Sequence, residues 1–240
     1  MPNQEIEHDC LFCNKLTGHV ENVTEWFPEF KGSALLVAKS PHFYMTLEGF
    51  SPLPGKHPYY LLVPKPHLTG FAYVPQSFGA ETNELVQFAK DLTGAQSMVM
   101  IENGAYTNGH KVQSVYHAHK HLIALSEGMN LIGYMPELLK ARGLNFIQLS
   151  RMGEFDDFSI VSALRRRLNG HPANYAFFRQ DNCGLLVVSS PDNNIPSQLF
   201  KGLVAQVAQT HFFDWKTAEG EELDSCRARL AEYPHRDLII

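Results

Sequence analysis

Gln113-Ser114-Val115-Tyr116-His117-Ala118-His119-Lys120-His121-Leu122-Ile123 is the stretch on which the reading of this 240-residue chain turns. Extended backbone sends successive side chains to opposite faces, so His117, His119 and His121 project together while Ala118 and Lys120 point the other way. A single strand histidine usually does no more than hydrogen-bond its neighbours. Three at a strict two-residue period call for a different account. Two remain: a three-histidine metal site, and a nucleophilic histidine with helpers.

Working outward, Ser33–Ala38, His42–Leu47 and Tyr59–Val63 are short runs rich in β-branched or aromatic residues, separated by Gly or Pro, and are read as neighbouring strands. From Thr82 the period changes, with Leu85, Phe88, Ala89 and Leu92 at helical intervals. Glu81 and Glu84 stand near the helix start, and Gly94 lies where the helix should stop. Met98–Ile101 reads as a strand, Asn103–Lys111 as a loop and Val112–Leu125 as extended chain. The order β, β, β, α, β, loop, β closes one unit near residue 130. Beyond it, Ile160–Leu168 is helically spaced, and Tyr175–Phe178 with Leu185–Val188 forms a hairpin around Asp181–Gly184. Ser197–Gln209 and Glu219–Tyr233 read as helices. The expectation is an α+β protein in two packed parts, residues 1–130 and 131–240.

The residues around the histidines resemble the signature of the histidine triad (HIT) superfamily, His-φ-His-φ-His-φ-φ preceded by Gln-Ser-Val-(Tyr/Phe), with φ apolar. Tyr60-Leu61-Leu62-Val63-Pro64-Lys65-Pro66-His67 resembles that family's strand ending in Pro-Lys-x-His, and Asn103 and Gly104 open the loop before the triad. The resemblance spans about residues 10–127 and implies a HIT-like antiparallel sheet with helices. It also implies a nucleotide hydrolase working at the α-phosphate through a nucleotidyl-histidine intermediate. Carried over by motif position, His119 is the nucleophile and His121 binds phosphate oxygens. Ser114, Gln113 and Asn103 donate to the phosphate, with Ser114 counted among the catalytic residues. His121 stands where uridylyl- and adenylyltransferase relatives carry Gln, which favours hydrolysis. Transfer to an acceptor other than water, and a non-catalytic nucleotide-binding scaffold, are the alternatives.

Two departures stand out. Lys120 replaces an apolar residue, an expectation that its side of the strand is less buried or is covered by the tail. The loop Asn103–Gln113 is longer than the common form, and His110 within it either reaches a phosphate or is exposed. The region from 131 onward is similar to the tails of CwfJ-type proteins around Pro196–Lys216. It can alternatively be read as a decayed second triad copy.

Cys10 and Cys13 form a Cys-x-x-Cys pair, a weak signal alone. In zinc-containing relatives the same pair is completed by the histidine of Pro-Lys-x-His and by the first triad histidine. The resemblance therefore implies a structural zinc on Cys10, Cys13, His67 and His117, with no open coordination position. For the nucleoside, Phe43, Tyr44, Phe50, Tyr59 and Tyr60 offer stacking surfaces, although aromatic residues on short strands are more often core, and Glu48 is a candidate for the ribose hydroxyls.

Composition sets the outer bounds. Hydrophobic residues make up 44% of the chain, enough for a substantial core. A net charge of -5 gives no general attraction to polyanions, which disfavours extended nucleic acid and requires a local site for any nucleotide or dinucleotide. Residues 1–9 lack the apolar core of a signal peptide, and no apolar run approaches the roughly 18 residues of a membrane span. A soluble cytoplasmic protein without a membrane partner is expected, and the resemblance adds a homodimer as an expectation. Four cysteines do not make a dense disulfide framework.

Overall fold

A computed structural model describes residues 10, 12–13, 35–53, 57–105, 117–149, 173–190, 193–210, 219–232 and 238–239. The expected helix Ile160–Leu168, the approach 112–116 to the triad, and Gln113, Ser114 and His110 lie outside the described residues.

The described strands are β1 (Leu36–Lys39), β2 (Phe43–Leu47), β3 (Tyr59–Pro64), β4 (Ser97–Gly104), β5 (Lys120–Leu125), β6 (Ile147–Leu149), β7 (Tyr175–Gln180), β8 (Cys183–Val188) and β9 (Leu238–Ile239). They form one sheet in the order β6-β8-β7-β4-β5-β3-β2-β1-β9. Neighbours are antiparallel except β1 and β9, which are parallel. With its helices this is the α+β architecture expected. β7 pairs with β4 from Val99↔Gln180 to Gly104↔Tyr175, so strands from both sides of residue 130 share the sheet.

Both faces of the central strands are covered, which explains why β3 reads as the unbroken apolar run Tyr-Tyr-Leu-Leu-Val-Pro. One face holds Tyr60, Leu62, Met98, Met100, Leu122 and Ala124 under α1 (Gly79–Thr93). The other holds Tyr59, Leu61, Val63, Val99, Ile101 and Ile123 under α2 (Met135–Ala141) and α3 (Leu199–Val207). A fourth helix, α4 (Glu221–Glu232), buries Cys226 and Leu230 on the α1 side. The buried stripe of α1 is Thr82, Leu85, Val86 and Ala89, and Gly94 closes the helix in the left-handed conformation at φ 64°. Leu92, expected in that stripe, stands in the last turn of the helix, two residues before Gly94, and is 37% exposed. Glu81 in the first turn accepts hydrogen bonds from the His42 backbone N–H at 2.8 Å and from His42 Nδ1 at 2.7 Å, pinning the helix to the β1–β2 turn.

Two expectations need correction. Asn103 and Gly104 are not loop residues: β4 continues through Gly104 because β7, a strand distant in sequence, pairs with Asn103 and Gly104. Of the two readings of the Lys120 side of the strand, less buried or covered by the tail, the first fails: the face it shares with Leu122 and Ala124 also packs Cys226 and Leu230 of α4. Lys120 is 1% exposed, and its Nζ lies 4.3 Å from the centroid of the Phe71 ring in the turn after β3. Its register partner is Glu102, whose carboxylate accepts the Tyr175 hydroxyl at 2.6 Å and the Phe71 N–H at 2.5 Å. Tyr175 lies flat against Gly104, where any Cβ would overlap its ring.

Gly104→Ala should therefore destabilise the fold by about 1–3 kcal/mol through overpacking. A shift in the denaturant midpoint measures this, and an unchanged midpoint would contradict the close approach of Tyr175.

Candidate functional site

The three triad histidines share a face, although the strand proper begins only at Lys120. The end of β3 steers the approach. Ala118 N–H donates to the Leu68 carbonyl at 2.5 Å, and Ala105 N–H to Thr69 at 2.9 Å, so the segment carrying His67 runs beside the triad. The rings of His119 and His121 meet edge to face with centroids 5.0 Å apart.

The three imidazoles do not converge on one point, because each Nδ1 has a different partner. That of His117 lies 3.3 Å from Cys10 Sγ and 3.5 Å from Cys13 Sγ. That of His119 donates to the His117 carbonyl at 2.7 Å. That of His121 meets the Tyr59 hydroxyl at 2.5 Å. Among the described residues, the three-histidine metal site is thus replaced by a cluster to which His117 alone of the three contributes.

That cluster is Cys10, Cys13, His67 and His117, whose ligand atoms all lie within 4.8 Å of one another. His67 Nδ1 stands 3.4 Å from Cys13 Sγ. An ion bound at about 2.3 Å from sulfur and about 2.05 Å from nitrogen in a tetrahedron separates the two donors by about 3.5 Å. The observed separations of 3.3, 3.5 and 3.4 Å match that edge length. His117 Nε2 donates to the Pro64 carbonyl at 2.7 Å, which leaves Nδ1 as the nitrogen facing the sulfurs, where a metal ion would take the place of the proton it shares with Cys10. Burial raises the Cys10 thiol, but hydrogen bonds with His117 and His67 outweigh it and bring it down to about 5, favouring the thiolate a metal requires. The group can hold a metal ion. Phe12, between the cysteines, rests its ring 5.8 Å from that of His117 and 5.0 Å from that of His119. Its carbonyl accepts the Tyr44 hydroxyl at 3.0 Å.

His119 is buried. Burial lowers it to about 4, opposed by its bond to the His117 carbonyl and reinforced by the charges of His117 and Lys201. The ring is neutral at physiological pH. With its proton on Nδ1, Nε2 carries the free lone pair. His121 is lowered well below its ordinary value by burial, then by His119 and Lys201. Tyr59 is raised well above the usual phenol range by burial, with the Glu48 charge adding and Arg229 opposing. A phenol is the better donor and an imidazole nitrogen the better acceptor. The Tyr59 hydroxyl therefore donates to His121 Nδ1, which puts the His121 proton on Nε2.

The other candidates are placed as follows. Asn103 is buried at the end of β4, in register with Ala176. Glu48 accepts the Phe50 N–H at 2.9 Å, closing the turn after β2. Phe43, Tyr44, Phe50, Tyr59 and Tyr60 are all core residues. Two site residues were not legible as such. In the sequence Tyr59 is one aromatic among several, and its hydroxyl contact depends on the β3–β5 pairing. Lys201 had one signal, a single cation inside the apolar run Leu199-Phe200-Lys201-Gly202-Leu203-Val204.

No protein-family model matches the chain, and no curated protein matches it. Solved structures do. A hypothetical histidine triad nucleotide-binding protein from Sulfolobus tokodaii is 22% identical, over 50% of this chain and 71% of that one, with a TM-score of 0.35. A HIT family hydrolase from Clostridium thermocellum is 16% identical, over 51% of this chain and 96% of that one, with a TM-score of 0.37. A yeast Ap4A phosphorylase is 15% identical, over 75% of this chain and 78% of that one, with a TM-score of 0.45.

The cluster geometry predicts about one metal ion per chain by elemental analysis. Cys13→Ala should remove that ion and lower the melting temperature. A well-folded wild-type sample without metal would contradict the assignment.

Proposed function

We propose that this chain is a nucleotide hydrolase that cleaves a nucleotide derivative at its α-phosphate through a nucleotidyl intermediate on His119. The observation that carries the reading is the 2.7 Å hydrogen bond from His119 Nδ1 to the His117 carbonyl, which leaves a neutral imidazole with Nε2 unprotonated. The sequence resemblance to the histidine triad signature supports it independently.

In this mechanism Nε2 of His119 attacks the α-phosphorus. The Nε2–P bond forms, the bond from phosphorus to the leaving group breaks, and its electron pair departs with that group. The ring keeps its Nδ1 proton, and the His117 carbonyl steadies the positive charge that develops on it. Water then attacks phosphorus, the P–Nε2 bond breaks with its pair returning to Nε2, and the proton of water is lost to solvent. A mononucleotide is released. His121, with its proton on Nε2, donates to a non-bridging phosphate oxygen, and Ser114, Gln113 and Asn103 supply further donors as phosphorus becomes five-coordinate.

The ion assigned to Cys10, Cys13, His67 and His117 is zinc, which suits two thiolates and two imidazoles and, with four protein ligands, contributes folding energy and no open position for substrate. A part for residues 131–240 in the working unit is supported by α3, whose Phe200 ring is tilted against that of Phe178 of β7 with centroids 5.4 Å apart, in the core cluster on the face of Ile123.

His119→Asn should lower kcat/KM by more than about 10³-fold, and Ser114→Ala by about 10²-fold. Rapid quenching of wild type during turnover should trap one nucleotidyl group on His119, with free mononucleotide released in buffer alone. Unchanged turnover in His119→Asn refutes the nucleophile, and a wild type that binds mononucleotides without turning over any substrate supports the scaffold alternative.

A further inference from the structure

The chain just after β3 meets the triad through two backbone hydrogen bonds. Ala118 N–H donates to the Leu68 carbonyl at 2.5 Å, and Ala105 N–H to the Thr69 carbonyl at 2.9 Å. The N–H of Ala118 and the carbonyl of His117 belong to one planar trans peptide unit and point in opposite directions. Whatever holds that N–H therefore aims the carbonyl, and the His117 carbonyl is the acceptor of the His119 Nδ1 proton at 2.7 Å. Leu68 thus acts on the ring of the proposed nucleophile through a single peptide plane.

Beyond Thr69 the chain makes the 3₁₀ turn Phe71–Tyr73, closed by bonds from Tyr73 N–H to the Gly70 carbonyl and from Val74 N–H to the Phe71 carbonyl, both at 3.0 Å. The N–H groups that open a helical turn find no partner inside it. Buried side chains of the sheet supply the acceptors here. Phe71 N–H donates to Glu102 Oε1 at 2.5 Å, and Ala72 N–H to Tyr175 Oη at 2.9 Å. The Tyr175 hydroxyl donates in turn to the same Glu102 oxygen at 2.6 Å, and a carboxylate acceptor makes such bonds shorter and stronger than neutral ones. Tyr175 is fully buried on β7, and its hydroxyl also lies close to Gly70, where a Cβ would stand 3.0 Å from it. We infer that Tyr175 is a positioning residue for the nucleophile. With Glu102, its hydroxyl sets the turn that aims the Leu68 carbonyl, and through Ala118 N–H the His117 carbonyl that holds His119 as the Nδ1–H tautomer. The region beyond residue 130 reaches the reacting nitrogen by this path without touching substrate. None of the bonds along it is made by Cys10, Cys13 or the rings of His67 and His117, so the path can be broken with the metal in place.

The effect on turnover rests on the hydrolase reading, and a spectroscopic readout separates the two. Full-length, metal-loaded wild type and Tyr175→Phe, which keeps the ring on Gly104 and removes only the hydroxyl, are compared by ring nitrogen-15 NMR. Both are then assayed on diadenosine tetraphosphate and on adenosine 5′-phosphoramidate. Tyr175→Phe should keep about one metal ion per chain. Its His119 ring should show a weakened Nδ1–H signal and a second population protonated at Nε2. On the probe that wild type turns over faster, kcat should fall at least about tenfold while KM changes less than about twofold. Thr210→Val serves as the control for general loss of stability, because it removes a 2.7 Å bond to the Pro52 carbonyl that lies off this path. It should leave the His119 signals and kcat as in wild type. Should Tyr175→Phe lose its cooperative melting transition, Gly70→Ala, which presses a methyl group on the Tyr175 hydroxyl, carries the same comparison. An unchanged His119 spectrum in the altered protein, or the same spectral change in Thr210→Val, overturns the inference. If wild type turns over neither probe, the hydrolase reading fails, and the ring spectrum still decides Tyr175.

Discussion

His117 holds two parts of the site with opposite ends of one residue. Its imidazole faces Cys10 and Cys13, and its carbonyl receives the Nδ1 proton of His119 at 2.7 Å. The first contact belongs to a cluster that ties the N-terminus to the sheet. The second decides which nitrogen of His119 is free. Whatever fixes the ring of His117 also fixes the direction of its carbonyl, so the metal-binding cluster and the tautomer of the nucleophile depend on one backbone conformation. The bond from His117 Nε2 to the Pro64 carbonyl extends that dependence to β3.

Much of this could be read from local pattern. The two-residue period of His117, His119 and His121 reported a shared face, and the apolar runs of β1, β2 and β3 reported strands. Thr82, Leu85 and Ala89 with Gly94 reported α1 and its end. The hairpin β7–β8 was visible as two runs around Asp181 and Asn182. What failed was pairing. Asn103 and Gly104 looked like loop because their chemistry is that of a turn, yet β7 draws them into the sheet, and Gly is needed at 104 because Tyr175 rests on it. Lys120, standing where an apolar residue is usual, left open whether its side is less buried or covered by the tail. It is buried beneath Phe71 and opposite Glu102, an arrangement that depends on the register of β4 with β5. The short elements α2, β6 and β9 carry too few residues for a period to show.

The site was legible to the same depth. The four cluster residues were implied by the resemblance to zinc-containing histidine triad proteins, and the structure brings all four together. The roles of Tyr59 and Tyr175 were not legible, since each depends on an approach between distant segments: β3 against β5 for Tyr59, and β7 against the turn after β3 for Tyr175. A buried tyrosine is ambiguous in a sequence, and what it touches gives it meaning. In this fold one brings its hydroxyl to His121 and the other to the turn beside the triad, the second from the region beyond residue 130.

The central claim is that the carbonyl of His117 holds His119 as the Nδ1–H tautomer with Nε2 free. Ring nitrogen-15 NMR of the metal-loaded protein at neutral pH measures this directly. A protonated, hydrogen-bonded Nδ1 and an unprotonated Nε2 are expected for His119. A proton on Nε2, or a fully protonated imidazolium ring, would contradict it.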